Sequence, residues 1–189
     1  MNFPHKEQNG ILRHLYRKNN AYYNDTRIFS YDSSGFVKEY LHYPHYIFDF
    51  GSNDHWFDSA NEVFVSFCFE KGFASIKGYE IKGSSGTHQV KKWAFSGSID
   101  NKNWLYNTTI EHAMIADEVF YVDWHHGPFK CFRIDIIQNV VNNYRMGDVK
   151  QVELFGIFYP DNNFFCKTMK HRFTLNTRMI HITLILSNC

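Results

Sequence analysis

Apolar side chains recur at every second position in several separated runs of this chain, and that period admits strands and excludes helices. Val63, Val65, Phe67 and Phe69 alternate with Phe64, Ser66, Cys68 and Glu70. Tyr79 with Ile81, Trp93 with Phe95, Phe120 with Val122, and Phe132 with Ile134 and Ile136 repeat the pattern. A strand turns successive side chains to opposite faces, so each run has one face to bury. Between the runs lie stretches rich in Gly, Asn, Ser and Asp, the residues of turns. Aromatic residues make up 19% of the chain, with 19 Phe and 12 Tyr, which favours strands further. The fold class is all-β, an antiparallel β-sandwich or jelly roll.

At 189 residues the chain suits one domain with a sizeable core. We expect a frayed, polar stretch at residues 1–9, a domain over 10–160, and a tail over 161–189. The tail begins after Tyr159-Pro160-Asp-Asn-Asn, where the composition turns basic and then β-prone. We assign it no role. Lys+Arg 20 against Asp+Glu 19 leaves a net charge of +1, without the long-range positive field that holds a phosphate backbone, so nucleic acid is not an expected partner. No apolar run reaches the length of a membrane span, and the first residues lack the apolar core of a secretory leader. Cys68, Cys131, Cys166 and Cys189 show neither Cys-x-x-Cys spacing nor a disulfide framework, so the expected location is cytoplasmic, with reduced thiols.

Three segments carry a resemblance: Trp93-Ala-Phe-Ser-Gly-Ser-Ile-Asp-Asn-Lys-Asn-Trp104, Phe129-Lys-Cys-Phe-Arg-Ile-Asp-Ile-Ile137 and Val152-Glu-Leu-Phe-Gly-Ile-Phe158. In this order and at these intervals they resemble the discoidin domain, also called the coagulation factor V/VIII type C domain. Gly10-Ile-Leu-Arg-His-Leu-Tyr16 is similar to the lead-in of protozoan-type members, Asp49 precedes Trp56 by the family's interval, and Lys71-Gly72 matches a family turn. Phe50 stands where the family usually has Gly, and Ile157 where extracellular members often have a second end-tying cysteine. The resemblance covers about residues 10–160 and implies a galactose-binding-like jelly roll.

It also implies two kinds of site. In calcium-binding members a loop Asp, a nearby side-chain oxygen and a Glu on the last strand hold a structural ion, positions filled here by Asp49, Asp54 and Glu153. The plainer reading is that Asp49 and Asp54 cap their own turns. In sugar-binding members an aromatic ring covers the C–H face of a sugar while polar loop side chains hold its hydroxyls. Candidates of suitable chemistry are Tyr31 and Asp32, His88, and Asn142, Tyr144 and Arg145, all expected on loops.

The expected function is non-catalytic recognition of a glycan or a protein surface. An intracellular adaptor of the kind found beside BTB scaffolds is the alternative, and lipid adhesion through Phe36-Val-Lys38 a third. His42-x-x-His45 and His125-His126 lack zinc-ligand spacing, because strand residues three apart or adjacent face opposite ways. There is no nucleophile elbow, zinc-protease motif or phosphate loop, so no enzyme is expected. Asn24-Asp-Thr26 and Asn107-Thr-Thr109 fit the glycosylation sequon and matter only to a chain that is exported.

Overall fold

The computed structural model describes residues 2–3, 10–19, 25–36, 42–51, 54–59, 61–83, 89–112, 118–124, 127–140 and 146–160. In chain order the elements are β1 (Asn2–Phe3), α1 (Ile11–Asn19), β2 (Phe29–Ser33), a 3-10 helix (Pro44–Phe48), β3 (Trp56–Asp58), β4 (Val63–Phe69), β5 (Phe73–Gly83), β6 (Val90–Ser98), β7 (Trp104–Glu111), β8 (Val119–Tyr121), β9 (Cys131–Asn139) and β10 (Gly147–Tyr159). One sheet runs β2-β4-β9-β6-β7; the other runs β1-β10-β5-β8, with β3 also on β10. Every pairing is antiparallel.

The alternation read from the sequence sets which face is buried. Val63, Val65 and Phe67 pair with Ile136, Ile134 and Phe132, which in turn meet Trp93, Phe95 and Gly97. All the large members of this array are at most 2% exposed. The second sheet closes over them: Tyr79 stacks on Phe95 with ring centroids 4.0 Å apart, Phe120 meets Trp93 edge-on at 5.0 Å, and Phe158 lies 5.1 Å from Phe69. Burying each such ring contributes roughly 1.5–3 kcal/mol. A polar tie inside the core runs from the indole N–H of Trp93 to the Tyr79 hydroxyl, 3.3 Å, and burial raises the Tyr79 pKa.

The sandwich has two ends. At one end, Val63, Gly83, Val90, Asn139 and Gly147 start or finish their strands; at the other lie the β4–β5 turn and the close of β10. Gly72, in that turn, has φ +99° and packs so closely on the end of β10 that a Cβ would come 2.4 Å from the Tyr159 carbonyl oxygen. The turn is thereby held against β10.

Three expectations need correction. Asn2–Phe3, expected to fray, pairs with Ile157 and Gly156 of β10. Tyr31 and Asp32, expected on a loop, lie within β2 opposite Phe67 and Ser66. Cys68 and Cys131, expected as free thiols, sit directly opposite each other on β4 and β9 and are joined by a disulfide. Disulfides persist in oxidising compartments, so this bond overturns the cytoplasmic expectation. Residues 161–189, with Cys166 and Cys189, lie outside the described residues. No helix among the described residues is long and apolar enough to cross a membrane.

Candidate functional site

β10 positions Glu153 with 2% of its surface exposed, facing the start of α1. An α-helix begins with backbone N–H groups that have no partner within it. Here they are met from far along the chain: Glu153 Oε1 accepts from Leu12 N–H at 2.8 Å and from Leu154 N–H at 2.9 Å, and Oε2 accepts from Arg13 N–H at 3.2 Å. The carboxylate fills the space where a side chain at position 10 would begin, since a Cβ on Gly10 would come 2.1 Å from its carboxyl carbon. Burial pushes the Glu153 pKa up to about 7, against the pull of these three amides and the Arg13 charge.

That commitment decides how well the residues fit calcium. Glu153 does not fit the role the resemblance implies, because both of its oxygens are engaged with the helix. Asp49 Oδ1 accepts from Gly51 N–H at 3.0 Å, the turn-capping role, and Asp54 is exposed. Among the described residues no three His, Cys, Asp or Glu side chains form a group that could hold a metal ion.

The end of the sandwich where β5 and β9 finish and β10 begins is built more firmly. Gly83 pairs with Val149, Val90 pairs with Asn139, and Val140 N–H donates to the Gln89 carbonyl at 2.9 Å. The strand ends flanking segments 84–88 and 141–145 therefore lie side by side. His88, Asn142, Tyr144 and Arg145 themselves fall outside the described residues.

Beside these strand ends, the turn after β2 is pinned at its root. Ser34 N–H donates to the Phe64 carbonyl and its hydroxyl to the buried Asp58 carboxylate, while Phe64 N–H donates back to Ser34 Oγ at 3.0 Å. The fully buried Trp56 donates its indole N–H to the Gly35 carbonyl at 2.9 Å. Asp58 and Trp56 belong to β3, which pairs with Gly147, Asp148 and Val149. The turn and the strand ends are thus one framework.

On it stands a strip of half-buried rings, of which the sequence reading weighed only Phe36, for lipid adhesion, and His42 and His45, for metal. Phe36 lies 4.8 Å from Tyr43, Tyr43 stacks on His45 at 5.3 Å, and Tyr46 meets both edge-on. His42 lies 4.1 Å from His55, whose Nε2 is 3.7 Å from an Asp148 oxygen. The two histidines of the His42-x-x-His45 motif thus turn to different partners. Burial holds both below the usual imidazole pKa, with His55 adding to the effect at His42, so both rings are neutral near pH 7.

Tyr31 belongs beneath this strip: its hydroxyl is 3.2 Å from His45 Nδ1 and its ring packs against the core. Asp32 is exposed on the opposite face of β2, where its Oδ1 accepts from Ser33 N–H at 2.8 Å. Neighbours on a strand diverge, so the Tyr31 ring turns toward the strip and the Asp32 side chain away from it. A density of aromatic residues between Phe36 and Phe57 was the available signal for the strip.

No family model matches this chain, and no curated protein matches it. Solved structures do. A pectin-binding carbohydrate-binding module superposes with TM-score 0.54 at 19% identity, over 67% of this chain and 89% of its own. The third family 32 carbohydrate-binding module of a family 31 glycoside hydrolase from Clostridium perfringens gives 0.57 at 12% identity, over 70% and 94%. A factor V/VIII type C domain from Bacteroides fragilis gives 0.53 at 15%, over 70% and 92%. The chain has the discoidin, galactose-binding-like fold shared by family 32 carbohydrate-binding modules and factor V/VIII type C domains.

Proposed function

We propose that this domain is a non-catalytic glycan-binding module whose site lies at the end of the sandwich formed around Gly83, Val90, Asn139 and Gly147. The observation that carries this reading is the strip of half-buried rings, Phe36, Tyr43, His45 and Tyr46, fixed beside the strand ends that lead into segments 84–88 and 141–145. Flat apolar faces with polar groups close by suit a sugar, whose ring offers a C–H patch on one side and hydroxyls around its rim. Tyr144 would add a ring, and Arg145, Asn142 and His88 the directional hydrogen bonds.

The fold neighbours support the reading, since two of the three described above are carbohydrate-binding modules. They lend the adaptor alternative no support. The Cys68–Cys131 disulfide favours a protein that works in an oxidising compartment.

The test is calorimetry with a glycan that binds the wild-type chain. Replacing Tyr144 and Arg145 together with Ala should abolish binding while leaving the unfolding midpoint in place, and Tyr43→Ala should weaken it about tenfold. Full affinity in the double variant would move the site away from this end.

A further inference from the structure

The end of the sandwich opposite the ring strip carries a groove of about 360 Å³ between the last turn of α1, the turn before β2, the β4–β5 turn and the close of β10. That volume lies in the range, roughly 300–1,000 Å³, that small-ligand sites occupy. Its floor is apolar: Leu15, Ile28 and Phe158 are buried against the core, with Pro160 at the margin. Its rim is cationic. Lys18 comes from the last turn of α1, Arg27 from the turn before β2, and Lys71 from the β4–β5 turn.

Among the described residues of the lining the only acid is Asp25, and it is committed. Both of its oxygens accept from Arg27, whose Nε is 2.9 Å and Nη2 2.5 Å away, and Arg27 N–H adds a third bond at 2.9 Å. Among the described residues of the lining, three cations against one paired acid leave a net charge of +2. Lys18 also complements the negative end of the α1 dipole, which offsets part of its charge.

The walls of the groove are rigid. Glu153 fixes α1 from its first turn, as described above. Glu70 N–H donates to the Ile28 carbonyl at 2.9 Å, tying the β4–β5 turn to the lead-in of β2. Gly72 locks the same turn onto the end of β10. An apolar floor under a cationic rim matches a ring with hydrophobic C–H faces and a carboxylate at its edge.

We propose that this groove is a second binding site, for a carboxylate-bearing sugar such as a uronate unit of an acidic glycan. It stands apart from the ring strip, and neither site needs the other.

The probe is digalacturonate, titrated into the isotopically labelled full chain while amide chemical shifts are followed, with galactobiose and acetate as comparison ligands. Digalacturonate should shift the amides of Leu15, Ile28 and Lys71, with an affinity that weakens as salt rises. The double substitution Lys18→Gln, Lys71→Gln, at two exposed positions that the fold does not need, should weaken binding about tenfold or more. Tyr144→Ala with Arg145→Ala should leave these shifts unchanged, which separates this groove from the proposed glycan site. Equal shifts with galactobiose would remove the requirement for charge, and equal shifts with acetate would remove the requirement for a sugar. Either result, or full affinity in the lysine double variant, would overturn the proposal.

Discussion

Replacing Glu153 with Ala removes the acceptor of three amides at once, and the structure allows the cost to be worked out. The N–H groups of Leu12, Arg13 and Leu154 lose their partner inside a closed interface. A buried, unsatisfied amide costs about 1–3 kcal/mol, so three cost on the order of 6 kcal/mol. Against this, the variant no longer buries a charge. A carboxyl raised to about 7 by burial carries, once ionised, a penalty on the order of 3 kcal/mol relative to an exposed one. Near pH 8 the net loss should therefore be about 3 kcal/mol.

The sign of the pH dependence is a sharper test. The folded-state pKa is raised, so the favourable contribution of Glu153 is fully present below the unfolded value and is lost as pH rises through about 7. Near pH 5 the wild-type protein is spared the charge penalty, and Glu153→Ala should cost nearer 6 kcal/mol, by the same reckoning. Urea unfolding at the two pH values, with equal slopes in both proteins, measures the pair of numbers. A loss larger near pH 8 than near pH 5 would mean that the carboxylate answers a positive charge rather than the helix start. A variant within about 1 kcal/mol of wild type at both values would refute the capping role altogether.

Three further outcomes are expected. Phe132→Ala should cost about 3–5 kcal/mol in the same assay, because its buried ring touches rings on both flanking strands, β4 and β6; a loss under about 1 kcal/mol would contradict the packing. Reducing the Cys68–Cys131 disulfide, or replacing both cysteines with Ala, should cost about 2–4 kcal/mol, since the bond closes a loop with a sequence separation of 63; a non-reducing peptide map that finds both thiols free would refute the pairing. Millimolar calcium and chelator should give the same melting temperature, and a calcium-dependent rise that Glu153→Ala abolishes would return Glu153 to an ion site.

The strands were legible because burial on one face of a sheet imposes a period of two on the large apolar residues, and Val63, Val65, Phe67 and Phe69 in β4, Trp93 and Phe95 in β6, and Phe132, Ile134 and Ile136 in β9 keep it. β2 was not, because Phe-Ser-Tyr-Asp-Ser carries turn-forming residues at its outward positions, and only the partner strand β4 makes it a strand. The disulfide depends on register: Cys68 and Cys131 are opposite because β4 and β9 pair where they do, and spacing along the chain contains no trace of that. Glu153 was picked out as an acid on the last strand, yet its partners lie 141 and 140 positions earlier, so its role as a helix cap could not be seen locally. The ring strip likewise arises from loop packing, where sequence period carries no information.

The most direct test of glycan recognition is an array of neutral and acidic glycans probed with the wild-type chain and with the Tyr144→Ala, Arg145→Ala double variant. The expected result is selective binding by the wild type to glycans sharing a terminal sugar, with the neutral members of that set lost in the variant. A folded wild-type chain that binds no glycan above background would contradict it.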